Sequence, residues 1–106
     1  MPKYLVQASY TVEGVKGFLK DGGSKRRAAV AQTVKSFGGK LETFYYAFGD
    51  TDVFVIVDAP DNVTLAAVSL AINAAGGVQT KTTVLLTPDE MDQAIKKEIK
   101  YQPPGA

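Results

Sequence analysis

The chain has 106 residues, a length that suits one domain and is too short for two separate cores. Its 12 basic and 11 acidic residues give a formal net charge of +1, so no strong field would hold a polyanion, and we expect no nucleic-acid partner. The absence of cysteine and histidine excludes disulfides, thiolate nucleophiles, the usual structural zinc sites, His-ligated haem and histidine-based triads.

The N-terminal sequence predicts a protein that is not inserted in a membrane. Met1-Pro2-Lys3-Tyr4 lacks the basic and long apolar regions of a signal peptide. No apolar run approaches the roughly 18 residues that are needed to span a bilayer. We therefore expect a soluble, cytoplasmic protein with no membrane partner.

The first part of the chain predicts a strand followed by a helix. Residues 4–10 are rich in β-formers, and their side chains would alternate between the two faces of a sheet, which indicates a strand with Tyr10 at its end. Thr11 stands at a helix N-cap position with Glu13 in the first turn. The apolar residues that follow at helical spacing are Val12, Val15, Phe18 and Leu19.

Two adjacent glycines predict a break within the first crossover. Residues 21–24 are expected to be non-helical, and Ser24 is expected to cap a second helical segment. That segment should end at Phe37, before Gly38-Gly39. Its predicted inward stripe consists of Arg27, Val30, Ala31 and Val34.

The middle of the chain predicts a β-hairpin. Residues 41–48 and 53–57 have strand character, and the turn-forming residues 49–52 separate them, so the two strands should be antiparallel neighbours. Because residues 53–57 are apolar at every position, we expect a central strand that is covered on both faces.

A second helix should begin after Pro60, with Asp61 as its cap, and end at Gly76-Gly77. Its inner stripe is predicted to be Leu65, Val68, Ile72 and Ala75. No charged residue occurs from Val63 to Ala75, so this helix is expected to be buried on more than one side.

The last part of the chain predicts a fourth strand, at residues 78–86, and an extra helix. Thr87, Pro88 and Glu90 have the spacing of a capping box with proline at the first helical position. The apolar stripe of this helix is Met91, Ala94, Ile95 and Ile99. We expect one domain over residues 1–100 and an extended tail over 101–106.

The order of these elements, β-α-β-β-α-β, predicts an α+β ferredoxin-like fold with an antiparallel sheet and an extra C-terminal helix. Residues 38–60 resemble the GYD domain family, and the likeness in order and spacing covers nearly the whole chain, from residues 10–14 to residues 85–88. The family's Gly-x-Tyr-Asp element reads Gly49-Asp50-Thr51-Asp52, so Thr51 stands at the tyrosine position. The resemblance implies a dimeric α/β-barrel, in which the sheets of two chains face each other, but it implies no particular activity.

Aromatic residues are the first candidate for a binding site. Tyr10, Tyr45 and Tyr46, together with Phe44 and Phe48, could line a pocket for a flat or hydrophobic small molecule. The same residues also suit core and interface packing, because a tyrosine hydroxyl can reach water while its ring is buried.

Arg27 is the second candidate. Its place on the predicted inward stripe would lead the guanidinium toward the body of the protein, where it could anchor a carboxylate or phosphate. Alternatively, its stem covers apolar surface and its head reaches solvent or an acidic partner. The glycines and cations of residues 22–27 have the chemistry of an anion site without the spacing of a P-loop.

Asp50 and Asp52 flank a turn, where two carboxylates could hold a cation or share a proton. Asp52 could instead accept hydrogen bonds from backbone amides, a common role of aspartate in turns. We predict no metal site and no cofactor.

We therefore expect a homodimer or higher homo-oligomer that binds, and in one version transforms, a small organic molecule between sheet and helices or between subunits. A non-catalytic assembly or regulatory module is the alternative. Catalysis without histidine or cysteine would require a tyrosine, carboxylate or lysine of shifted pKa, for example Tyr45 or Tyr46 near Arg27 or Asp52.

Overall fold

The computed structural model describes all residues, 1–106, and contains four strands and four helices. In chain order they are β1 (Lys3–Tyr10), α1 (Val12–Asp21), α2 (Gly23–Ser36), β2 (Lys40–Tyr46), β3 (Val53–Asp58), α3 (Asn62–Ala74), β4 (Val78–Leu85) and α4 (Pro88–Ile95). The strands form one sheet in the order β2-β3-β1-β4, and every neighbouring pair is antiparallel. The predicted α+β ferredoxin-like fold is confirmed. None of the helices is long and apolar enough to cross a membrane.

The core lies between one face of the sheet and the helices. Alternation places every second residue of β1 and β3 on this face, and Tyr4, Val53, Val55 and Val57 are buried there. Val34 of α2 and Leu65 of α3 pack against them from above. β3 is therefore a central strand, as predicted, because β2 and β1 flank it on either side.

The break in the first crossover is narrower than predicted. Only Gly22 lies outside a helix, since α1 includes Asp21 and α2 already begins at Gly23. Gly22 has φ +82°, a left-handed conformation that L side chains rarely adopt, so one glycine is enough to turn the chain. The prediction that Ser24 caps α2 is wrong, because Gly22 occupies the N-cap position and no side chain caps this helix.

The second face of the sheet carries no helix and is called here the open sheet face. Its residues alternate with the core residues and are Lys3, Leu5, Gln7, Ser9, Lys40, Thr43, Tyr45, Phe54, Ile56, Asp58, Gln79, Lys81, Thr83 and Leu85. Phe54 is 36% exposed and Tyr45 is 69% exposed. Within one chain β3 is thus covered on one face only, and the predicted cover of its second face would have to come from another copy.

Two helices leave apolar residues in solvent. In α3, Leu65 is buried, but Val63 is 79% exposed and Leu70 is 73% exposed, so this uncharged helix is covered on one side only. In α1, Phe18 faces inward, whereas Val12 and Leu19 are exposed, contrary to the predicted apolar stripe. The cause in both cases is that a single chain provides only one layer for each helix to pack against.

The C-terminal segment extends away from the domain. The predicted capping box is present, because Thr87 and Glu90 each accept a hydrogen bond from the other's backbone N–H. The helix ends at Ile95, however, so Ile99 lies beyond it, and every residue from 88 to 106 is exposed. The radius of gyration is 17.0 Å, against about 13 Å for a compact domain of this length.

Candidate functional site

A cavity opens between α2, α3 and the core face of the sheet, because the two helices do not pack closely against each other. Its volume is about 180 Å³, and 15 of its 18 lining residues are hydrophobic. The strands contribute Val6, Ala8, Tyr10, Phe44, Val53, Val55, Val57, Val78 and Thr80. The helices contribute Arg26, Ala29, Val30, Thr33, Val34, Leu65, Val68 and Ile72, and Phe37 at the C-cap of α2 completes the lining. An apolar cavity of this size accepts a molecule as large as an aromatic ring.

Four aromatic rings pack in a row at one end of the cavity and are called here the aromatic cluster. Tyr10 stacks on Phe18 with a centroid distance of 5.2 Å, Phe18 lies 5.1 Å from Tyr46, and the edge of Phe44 meets Tyr46 at 5.1 Å. The Tyr46 hydroxyl donates a 2.8 Å hydrogen bond to the carbonyl oxygen of Gly23. Burial raises the pKa of Tyr46, so this hydroxyl keeps its proton and acts as a donor.

Arg26, and not Arg27, is the arginine at the cavity. Arg26 is half-buried and lines the cavity, whereas Arg27 is exposed. Neighbouring residues of a helix lie about 100° apart around its axis, so only one of the two can face inward. The sequence did indicate which side of α2 faces inward. The residues on that side recur at spacings of three and four, and they are Arg26, Val30, Thr33 and Phe37, all of which line the cavity.

A second cavity, of about 300 Å³, adjoins the first beside α1. The two cavities share Tyr10, Arg26, Ile72 and Val78, so these four residues form the boundary between them. The second cavity is more polar, because its lining also includes Asp21 and glycine backbone at Gly14, Gly17 and Gly77. Arg26 therefore faces an apolar space on one side and a more polar one on the other.

The loop between β2 and β3 is fastened to the end of β1 by Asp52. A carboxylate oxygen of Asp52 accepts a 2.9 Å hydrogen bond from the backbone N–H of Tyr10, and its own N–H donates to the Ala8 carbonyl oxygen at 2.9 Å. The Ser9 hydroxyl donates to the Asp50 carbonyl oxygen at 2.6 Å. Asp52 therefore has the backbone-binding role that the sequence left as an alternative.

Comparison with known families matches residues 4–95 to the GYD domain, a range that includes all four helices and all four strands except the first residue of β1. The chain belongs to the GYD domain family. No curated protein and no solved structure shows significant similarity to it. The cavity, the aromatic cluster and the loop of Asp52 all lie within the matched part of the GYD domain.

The four residues of the family's Gly-x-Tyr-Asp element occupy this loop of the GYD domain. Gly49 has φ +107°, a conformation that favours glycine, and Asp52 makes the hydrogen bond to β1. Thr51 stands at the tyrosine position and is half-buried. In this chain the glycine and the aspartate of the element shape the loop and hold it against β1.

The remaining predicted site residues of the GYD domain lie away from the cavity. Tyr45 belongs to the open sheet face, opposite Phe54, whereas its neighbour Tyr46 is on the core face. Phe48 is fully exposed beyond the end of β2, which was predicted to continue through it. The sequence missed Phe18 as a member of the aromatic cluster, because α1 and β2 meet only in the folded chain.

Proposed function

We propose that this GYD domain binds a small organic molecule in the cavity between α2, α3 and the sheet. The observation that carries the proposal is an apolar space of about 180 Å³ at the centre of the domain. Ligand sites in proteins are typically concave and mostly apolar with a few polar groups, and the polar lining residues here are Arg26, Thr33, Thr80 and the tyrosine hydroxyl of Tyr10.

The energetics of burial support the same proposal. The cavity opens to solvent, so its apolar lining is in contact with water. A ligand that covers this lining gains about 25 cal/mol for each Å² of apolar surface that it removes from water, and it would thereby stabilise the folded state by mass action.

The lining supports binding and offers little for catalysis. The titratable side chains that line this cavity are those of Tyr10 and Arg26. An arginine remains protonated at all ordinary pH values and cannot serve as a general base. The proposal is therefore a binding function.

A space-filling substitution tests the proposal. Val68 lines the cavity from the middle of α3, whereas Val63 is on the outer side of the same helix and is 79% exposed. We expect toluene to raise the melting temperature of the unmodified protein and to shift the NMR signals of cavity residues. Val68→Phe should abolish both effects, because its ring occupies the space, and should itself raise the melting temperature.

Val63→Phe is the matched control, and it should leave toluene binding unchanged. The proposal is wrong if toluene and similar small apolar compounds leave the NMR spectrum of the unmodified protein unaltered. It is also wrong if Val68→Phe and Val63→Phe bind toluene equally well.

A second candidate function, self-assembly, is favoured by the open sheet face. Leu5 lies opposite Ile56 in the strand register, and Tyr45 lies opposite Phe54, so these four residues form one apolar patch. We propose that a second copy of the chain covers this patch through a two-fold interface, which is the commonest arrangement in homo-oligomers. The two functions are compatible, because the cavity and the patch lie on opposite sides of the sheet.

A further inference from the structure

Arg26 is a half-buried cation that has no partner in the chain. Its side chain takes part in none of the ion pairs, which join Lys3 to Glu42 and Asp58 and Lys25 to Asp21. It also donates no side-chain hydrogen bond, although a guanidinium has five N–H donors. Its guanidinium nitrogens therefore reach solvent and are free to bind a ligand at the edge of the cavity.

The nearest acidic side chain in the cavity linings does not neutralise Arg26. Asp21 lines the second cavity, but its carboxylate lies 3.5 Å from the Lys25 ammonium group. The α2 helix has no acidic residue in its first turn. The positive charge at the boundary of the two cavities is thus available to a ligand.

The surroundings of Arg26 select the kind of anion. A carboxylate matches the planar guanidinium through two parallel hydrogen bonds, and one cation balances its single charge. A phosphate group would bring more charge and more acceptors than one arginine among mostly apolar residues can satisfy. The space beyond Arg26 is lined mainly by valine, alanine, isoleucine and phenylalanine, which suits a hydrocarbon body.

We propose that the ligand of this GYD domain is a small organic acid, with its carboxylate on Arg26 and an apolar body about as large as one aromatic ring between α2 and α3. The inference rests on the proposed binding function and specifies its ligand class. Arg26 acts as the anchor that orients the ligand, and the aromatic cluster forms the wall beside the carboxylate.

The test compares two probes that share a ring and differ in charge. Benzoate and benzyl alcohol are titrated into the purified protein by NMR at constant ionic strength. We expect benzoate to bind at least about tenfold more tightly, since hydrogen bonds between charged groups are worth more than neutral ones. Arg26→Gln should remove this preference and leave the affinity for benzyl alcohol nearly unchanged.

Arg27→Gln is the matched control, because it removes the same charge from the next residue of the same helix, at an exposed position. It should retain the preference for benzoate. Arg26→Lys, which keeps the charge but loses the planar pair of donors, should retain only part of it. Circular dichroism and thermal melting establish that each variant is folded.

Three results would overturn the inference. Equal affinity for benzoate and benzyl alcohol in the unmodified protein would show that the cavity binds apolar molecules without using Arg26, and would leave the binding function intact. Equal losses of benzoate affinity in Arg26→Gln and Arg27→Gln would indicate general attraction by the basic helix. Failure of both probes to bind would contradict the ligand class and the proposed binding function together.

Discussion

At the scale of single residues, Asp52 shows how one carboxylate can hold a loop in place. Its carboxylate accepts the N–H of Tyr10, the residue at which β1 ends and the aromatic cluster begins. Without this acceptor, the half-buried N–H of Tyr10 would lose its partner. The position of the Tyr10 ring beside the cavity therefore depends on the loop between β2 and β3.

We expect Asp52→Ala to lower the free energy of unfolding by about 1–3 kcal/mol, the usual cost of leaving a buried donor without a partner. Urea denaturation measures this loss. Asp50→Ala is the control, because Asp50 contributes its backbone carbonyl and not its carboxylate to the loop. Equal stabilities of the two variants would show that the hydrogen bond to Tyr10 contributes nothing.

Asp61 gives a prediction about pH. Its carboxylate caps α3 by accepting a 2.8 Å hydrogen bond from the Thr64 N–H, and this bond lowers the pKa of Asp61. A carboxyl group whose pKa is lower in the folded state stabilises the protein above its unfolded pKa, and this contribution is lost as the pH falls through the folded value. The loss should therefore occur below about pH 4.

Asp61→Asn keeps a cap but removes the titrating group, so its melting temperature should fall less steeply than that of the unmodified protein below about pH 4. Asp89→Asn, which makes the same change in the first turn of α4, should follow the unmodified protein, because the Asp89 side chain makes no hydrogen bond. Parallel curves for Asp61→Asn and the unmodified protein would contradict the prediction.

At the scale of elements, local chemistry determines the starts of three helices. Thr11, Asp61 and Thr87 were identified as caps from the sequence and are confirmed, because a cap involves only residues three positions apart. The inner side of α2 was predicted correctly at Val30 and Val34 but wrongly at Arg27, because Arg26 and Arg27 are both compatible with an amphipathic pattern. Contact with the sheet, which local sequence does not encode, decides between them.

The isolation of α4 predicts the effect of removing its cap. This helix has no substantial contact with any other element. An isolated helix of eight residues is only marginally stable in water. Thr87→Ala should therefore cost about 1 kcal/mol of local helix stability. Amide exchange of residues 88–95 should accelerate, while the melting temperature of the sheet remains the same. The exposed substitution Asp92→Ala is the control and should slow exchange or leave it unchanged.

A fall in the melting temperature of Thr87→Ala by several degrees would contradict this view. It would mean that α4 docks on a surface whose stability is coupled to the rest of the domain. Because α4 is exposed along its whole length in one chain, such a surface would belong to another copy.

At the scale of the whole molecule, the fold class followed from the order of the elements, whereas the cavity could not be predicted. The spacing of Leu65, Val68 and Ile72 correctly placed the inner side of α3. The distance between α2 and α3, which creates the cavity, depends on side chains that are far apart in sequence and meet only across the core. The same limitation separated Tyr45 from Tyr46, because the register of β2 against β3 determines which of them lies on the core face.

Some charges on the open sheet face are paired within the chain, whereas Lys40 and Lys81 take part in no ion pair. Lys3 lies 2.6 Å from a Glu42 carboxylate oxygen and 2.9 Å from one of Asp58, and these two partners raise the pKa of Lys3 to about 12. An internally paired cluster repels a second copy less than separate like charges would. The distribution of charge is therefore compatible with two such faces in contact.

The decisive variant for self-assembly places a charge at the centre of this patch. Phe54 points outward from β3 between Gln7 and Tyr45, so Phe54→Lys should dissociate the proposed oligomer into single chains of 11.3 kDa. Phe48→Lys makes the same change at a fully exposed loop residue and should leave the assembly unchanged. Light scattering at several dilutions reports the mass of each. A single-chain mass for the unmodified protein at every concentration would refute self-assembly, and the open sheet face would then need a partner of another kind.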